Sequence, residues 1–338
     1  MNAPPELLAA VRARVLVLGR GDTPGLPPDS SPEAVALARH IVDMVGDSVS
    51  AIIFFGSRKS RARPDPYSAY DLFVVIERSR AFYERLAARG AVRRAPAVLA
   101  ALQAVLPPNQ ISLTAGAGDA APRAKCAVVT TPVLRRQTSP RRDDHFCLGR
   151  LFQPTEILYA APGREDAILA ALVQAHALTY EWGRPWLPAR FDVGEYCRTL
   201  LRVSFAAEIR PEPEGRAQAL FEAQETYLRP VYSTLLAALA ASGELREEAP
   251  GVYALVRPVG AYERLRLAAY FRWSLVRATV RWAKYVITFD DWLDFIVRKA
   301  RRHTGEDIVL SDRERRMPLL FLWPRVIHYL RHKDRARP

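Results

Sequence analysis

The chain has 338 residues, 49% hydrophobic and 25% charged, enough to bury a sizeable core in two or three domains and too apolar for a disordered chain. Forty-nine Lys/Arg against 36 Asp/Glu leave a net charge of +13, and no apolar run is long enough for a bilayer-spanning helix. Three cysteines (Cys126, Cys147, Cys197) exclude a disulfide framework or zinc knuckle, and the first residues lack the charged leader and apolar run of a secretion signal, so a cytoplasmic chain with reduced thiols is expected.

Residues 1–31 read as an irregular lead-in ending in the proline- and glycine-rich RGDTPGLPPDSS. Ser31-Pro32-Glu33 then supplies an N-cap, a first-turn proline and an acid at the positive helix end, so a helix starts there. SAIIFF (50–55) and DLFVVI (71–76) are short β-branched and aromatic runs, the pattern of buried strands, joined by a basic loop. Helical spacing follows over 79–89 and 95–105, then two more strands over 110–114 and 126–130. From about 164 the period changes to long helices (164–182, 192–209, 216–241, 261–285), interrupted by a small hairpin within 243–257. The expected fold class is α+β: a mixed sheet with flanking helices over 32–160, a mainly helical domain over 161–288, and a basic amphipathic C-terminal region over 289–338.

Charge concentrates at that end. From Arg264 to Pro338 there are 18 Lys/Arg against 8 Asp/Glu, so this last quarter carries +10 of the +13. Such an excess favours a phosphate-rich partner: nucleic acid, a nucleotide or an anionic membrane. The tail RERRMPLLFLWPRVIHYLRHKDRAR mixes arginines with Leu, Phe, Trp and Tyr, which suits a segment lying in a headgroup layer or a helix packed on the protein with its cationic face solvated.

The chemistry sits in a strand, then Gly56-Ser57, then a polar loop, then a strand opening with Asp71. Metal-assisted nucleotidyl transfer needs this order of parts. Glycine lets the backbone approach a triphosphate, serine offers a hydroxyl and an N–H to its oxygens, and the carboxylate on the next strand holds Mg2+. Taken alone, a Gly-Ser after a strand is a common turn. Such enzymes usually carry a second carboxylate two residues earlier, where this chain has Ala69. Glu77 is about 20 Å along the strand at roughly 3.3 Å per residue, too far to share a metal with Asp71. Arg58 and Lys59 are secondary candidates for the triphosphate. The histidines, His145 and His176 among them, show no ligand spacing and read as helix-face residues.

The FFGS block with the lone Asp71 resembles the nucleotidyltransferase domain of the mitochondrial-type phosphatidate cytidylyltransferases, the translocator-assembly-and-maintenance class of CDP-diacylglycerol synthase. Later blocks resemble that family in the same order: Asn109 in PPNQISL, Lys125 in AKCAVVTT, Arg150 in LGRLFQP, Ser204, Glu208 and Arg210 in VSFAAEIR, and Lys284 with Thr288 in RWAKYVITF. The family commonly has Gly-Ser-Gly where this chain has Gly56-Ser57-Arg58.

The resemblance implies a nucleotidyltransferase fold, a winged-helix-like middle domain and transfer of CMP from CTP to phosphatidic acid with Mg2+, giving CDP-diacylglycerol and pyrophosphate. It further implies Asp71 as metal ligand, with Ser57 and Lys125 catalytic. Gly56, Ser57, Arg58, Lys59 and Asn109 would bind nucleotide, and Arg150, Arg210 and Lys284 the substrate phosphate. The partners would be CTP, phosphatidic acid and an anionic membrane at the inner face of which the protein is peripheral, with no nucleic acid expected. Two rival readings stand beside this: a nucleotidyltransferase acting on a soluble small molecule or RNA end, and a non-catalytic nucleotide- or nucleic-acid-binding module on a degenerate transferase fold.

Overall fold

A computed structural model describes residues 5–19, 31–60, 69–116, 121–207 and 215–289, with Ser311 and Arg313 singly. The first element is a helix, α1 (Pro5–Gly19), where an irregular lead-in was expected. Leu8, Val11 and Val15 fall at helical spacing, and Val11 and Val15 are buried in the main core, so an apolar stripe orders the segment. The proline-rich 20–30 lies outside the described residues, as do Arg210 and Glu208 and the expected C-terminal region beyond Phe289 apart from Ser311 and Arg313.

Helix α2 (Pro32–Val45) starts behind Ser31 with its first-turn proline and buries Leu37, Ala38, Ile41 and Val45. Then come β1 (Val49–Phe55), the four-residue α3 (Ser57–Ser60), β2 (Tyr70–Ile76), α4 (Ser79–Ala88) and α5 (Pro96–Val105). Strands β3 (Asn109–Thr114) and β4 (Arg123–Thr130) follow, then α6 (Thr131–Gln137), α7 (Leu148–Leu151) and β5 (Glu156–Ala160). The five strands form one mixed sheet in the order β3-β4-β2-β1-β5. β2 and β4 are parallel and the other neighbours antiparallel.

The expected helix over 164–182 divides into α8 (Glu165–Ala177) and α9 (Thr179–Gly183). A short strand β6 (Arg190–Asp192) leads into α10 (Val193–Ala206), where the Asp192 carboxylate accepts from the Glu195 N–H at 2.7 Å as an N-cap. Helix α11 (Arg216–Ala241), the hairpin of β7 (Leu245–Ala249) and β8 (Val252–Leu255), and α12 (Ala261–Thr288) complete the described chain. β6 joins the hairpin to make a second, three-stranded sheet.

Alternation along the strands sends side chains to two different cores. Ile52, Phe54, Leu72 and Val74 meet α2 and α4 residues on one face. Ile53, Phe55, Phe73, Val75, Ala127 and Val129 enter a larger core shared with α1, α8, α10 and α11. The helical part is therefore fused to the sheet through continuous apolar packing.

His176 lies on α8 and His145 in the bend before α7, not on a helix, and both are buried. His145 sits edge-on to Trp182 and against Phe271, and burial drops its pKa to about 3. His176 bonds Leu172 O and the Tyr227 hydroxyl, and burial drops it to about 4. Both are neutral packing residues. All three cysteines are free and buried, and burial raises the pKa of each thiol.

Candidate functional site

Strand register sets the site. Ser112 lies opposite Lys125, Lys125 opposite Asp71, and Asp71 opposite Phe55, one row across four strands. Partners directly opposite share a face, so Ser112, Lys125 and Asp71 project to the side that also carries Phe55 and Phe73. At about 4.8 Å between strands, Ser112 and Asp71 are roughly 10 Å apart with Lys125 between them. Burial and the Asp71 carboxylate both raise the pKa of the neighbouring Cys126 thiol.

Gly56 closes the row where β1 ends. Its φ of 87° is left-handed, and a Cβ there would fall inside the shell of Asp71 Oδ2, 3.0 Å from Asp71 Cβ and 3.1 Å from Cγ. The carboxylate thus lies flat against bare backbone, and only glycine fits. Ser57 follows half-buried at the start of α3. The structure brings together Gly56, Ser57, Asp71 and Lys125, four residues expected from sequence.

Arg58 and Lys59 turn elsewhere. The Arg58 guanidinium stacks on the Tyr70 ring, 4.2 Å from its centroid. Lys59 Nζ donates to Glu156 Oε2 at 2.7 Å, and the pair is largely buried, with side chains 20% and 8% exposed. Glu156 opens β5 opposite Phe54, whose side faces away from Asp71, so this second carboxylate is committed to Lys59 and lies across the sheet from Asp71.

Two expected site residues are structural. Asn109 is fully buried on the opposite face from Asp71, where its amide nitrogen donates to Tyr83 Oη at 2.8 Å and Leu99 O at 2.7 Å. Lys284 Nζ donates to Asn109 Oδ1 at 2.9 Å, to Pro108 O at 2.7 Å and to Leu106 O. Burial and the guanidiniums of Arg281 and Arg277 push its pKa down to about 7, against three acceptors that favour the ammonium. With their polar atoms saturated by protein, Asn109 pins β3 to α4 and α5, and Lys284 pins α12 to β3. Neither the nucleotide role expected of Asn109 nor the phosphate role expected of Lys284 fits this placement.

Arg150 does reach the Asp71 face. Its Nη1 donates to Phe146 O at 2.9 Å and its guanidinium stacks 3.8 Å from the Phe146 centroid. Phe146 in turn meets Phe73 edge-on, two residues along β2 from Asp71. Sequence reasoning missed the group that holds this region in place. Buried Asp144 accepts from Arg277 Nε at 2.8 Å and Arg281 Nη2 at 2.5 Å, and Arg281 also donates to Pro107 O at 3.0 Å. Desolvation pulls the Asp144 pKa up, and the two guanidiniums with the Phe146 N–H outweigh it, for a net lowering.

Mg2+ can be tested against these residues. Among the described residues no group of three His, Cys, Asp or Glu side chains could hold a metal ion. Mg2+ keeps several waters and is commonly bound by one or two carboxylates plus substrate phosphates. A lone Asp71 beside a backbone cradle fits a metal carried in on a triphosphate, and does not fit a protein-only cage. The chain matches no family model and no curated protein. Among the described residues no helix is long and apolar enough to cross a membrane.

Proposed function

We propose that this chain is a nucleotidyltransferase of the phosphatidate cytidylyltransferase type, transferring CMP from CTP to phosphatidic acid. The observation that carries the reading is the Asp71 carboxylate packed on the bare backbone of Gly56 with Lys125 in register beside it. On this reading the five-stranded mixed sheet is a nucleotidyltransferase fold, and α10, α11 and the β6-β8-β7 sheet are the winged-helix-like part.

In the reaction, an oxygen of the acceptor phosphate attacks the α-phosphorus, the bond to the α–β bridging oxygen breaks, and pyrophosphate leaves. A phosphate monoester is ionised at neutral pH, so no general base is needed, in keeping with buried, neutral His145 and His176. Gly56 admits the triphosphate to backbone contact, and Ser57 donates to its oxygens. The Lys125 ammonium stands where negative charge gathers between nucleotide and acceptor. When bound, Mg2+ held by Asp71 supplies neutralisation of the triphosphate charge.

A lipid acceptor is supported by the outer side of α12. Tyr262, Leu265, Trp273, Val276, Val280 and Ile287 recur at helical spacing and are all exposed, with Arg272 alongside and Arg264 exposed on the first turn. The test is to supply each nucleoside triphosphate with Mg2+ and phosphatidate vesicles and assay for a CDP-diacylglycerol product. Product from CTP that is lost in Asp71→Asn supports the reading. Product only with a soluble acceptor favours the first rival, and nucleotide or nucleic-acid binding without turnover favours the second.

A further inference from the structure

Buried polar groups without a partner are rare in folded proteins, and each one calls for a physical cause. Among the described residues four buried hydroxyls lack one: Ser112, Thr155, Tyr285 and Thr288. Three of them lie on β3 and on the helix packed against it, and the fourth, Thr155, is at the opposite edge of the sheet. Ser112 stands next to Lys125 in the row that contains Asp71, and Thr155 immediately precedes β5 at the same end of the sheet as Gly56. Tyr285 and Thr288 lie on the last turn of α12, the helix that Lys284 fastens to β3 through Asn109.

Positive charge gathers round the Tyr285 hydroxyl. Arg281 and Arg150 both act on the Tyr285 hydroxyl, and their guanidiniums share the Phe146 ring, at 4.7 and 3.8 Å from its centroid. Burial keeps the Tyr285 phenol protonated and therefore a donor. Asp144 already holds Arg281 and Arg277, and Glu181 holds Arg142 at 3.3 Å, so the cations in this region outnumber the carboxylates paired with them. Hydroxyl donors beside excess positive charge suit an oxyanion.

We infer that Ser112, Tyr285 and Thr288 form, with Lys125, a seat for a phosphate group, between the β3 edge of the sheet and the end of α12. This rests on the nucleotidyltransferase reading for its place beside Asp71, and adds that the seat takes the acceptor's phosphate monoester while the nucleotide's phosphates lie toward Gly56. Opposite side chains in a strand pair have Cβ atoms about 5 Å apart, so the Ser112 hydroxyl and Lys125 ammonium can both reach one phosphate. Sequence comparison by motif picks out Lys125 and passes over Ser112 and Tyr285, because a serine in a strand and a tyrosine in a helix carry no spacing signal of their own.

The experiment uses the full chain and three variants that delete hydroxyls with little change of volume: Ser112→Ala, Tyr285→Phe and Thr288→Val. Binding of glycerol 3-phosphate and of short-chain dihexanoyl phosphatidate is measured by calorimetry, with pyrophosphate as the arm that reports the nucleotide side. The expected result is monoester binding weakened about tenfold by Ser112→Ala and by Tyr285→Phe, with pyrophosphate binding less affected. The melting temperature without ligand should hold or rise, since an unpartnered buried hydroxyl has been removed. Unchanged dissociation constants in both variants, or a parent chain that binds neither monoester, overturns the seat. Weakening confined to pyrophosphate overturns its assignment to the acceptor. The two readings fail separately. Monoester binding without CMP transfer removes the reaction and leaves the seat, and transfer with an unchanged KM for phosphatidate in all three variants removes the seat and leaves the reaction.

Discussion

Gly56→Ala is the sharpest probe of the proposed site, because its effect divides into two parts that can be measured apart. The first is backbone: an L-residue at φ 87° is strained by about 1–2 kcal/mol. The second is steric: the new Cβ would meet Asp71 Cβ at 3.0 Å and Cγ at 3.1 Å and lie inside the Oδ2 shell, where ordinary contact needs about 3.5 Å. Overpacking of this kind costs about 1–3 kcal/mol. The summed loss is about 2–5 kcal/mol in the parent chain. In an Asp71→Ala background the Cγ and Oδ2 clashes are gone and mainly the backbone part remains, so a four-protein urea-unfolding cycle should show a coupling of about 1–3 kcal/mol. To relieve the clash the carboxylate must move by about 1 Å, a misplacement that can lower turnover about 100-fold. A coupling below about 0.5 kcal/mol, or parental turnover in Gly56→Ala, would refute the claim that this glycine exists to seat Asp71.

Other consequences follow from the same geometry. Asp144→Ala strands two partly or wholly buried guanidiniums, Arg277 and Arg281, and should destabilise the fold by about 3–5 kcal/mol in urea; a loss under about 1 kcal/mol would contradict the pairing. Lys284 has a folded pKa near 7 against an ordinary 10.5, so between those values the unfolded chain binds more protons and stability from this group rises with pH. Relative to Lys284→Met, the parent should gain up to about 1 kcal/mol per pH unit across that window and nothing below it, which a pH series of melts would read. Mg2+ alone should leave the melting temperature unmoved and Mg2+ with CTP should raise it, because the lone Asp71 needs the triphosphate to complete a shell; a shift with the metal alone would point to further ligands.

Most of the fold was legible because its elements carry strong local signals. SAIIFF and DLFVVI are apolar on both faces, as strands between two helical layers must be, and the first-turn Pro32 and Glu33 mark the start of α2, although the Ser31 hydroxyl caps no backbone N–H and bonds the Glu33 carboxylate and Tyr70 instead. Helix α11 was expected over 216–241 and occupies Arg216–Ala241. The failures have physical causes. Helix α1 was hidden beside a proline-rich stretch, its evidence being only the spacing of Leu8, Val11 and Val15. β5 was missed because its five residues, Glu156-Ile157-Leu158-Tyr159-Ala160, are too few to stand out and show no polar-apolar alternation. At the site, Gly56 and Asp71 could be linked because turn chemistry and strand order are local. Asn109 and Lys284 could not be recognised as a structural pair, since they are 175 positions apart and meet only when α12 docks on β3.

That docking also changes the meaning of the basic C-terminal charge. Read from composition, every arginine and lysine after 264 adds to a surface that attracts phosphate. In the folded chain the inward side of α12 spends Arg277 and Arg281 on Asp144, and Lys284 on backbone carbonyls and Asn109. These three cations hold the last helix against the sheet and do not face a solvent-side ligand. The outward side keeps Arg272 next to Trp273 and Val276, and Arg264 is exposed on the first turn, so that each cation adds about 1 kcal/mol near an anionic surface. Replacing Arg264 and Arg272 by Gln should therefore weaken binding to anionic vesicles about tenfold or more at low salt and leave urea stability unchanged. Replacing Arg281 should do the reverse. A vesicle assay in which Arg281→Gln matters and the outer pair does not would show that the two sides of α12 have been assigned the wrong way round.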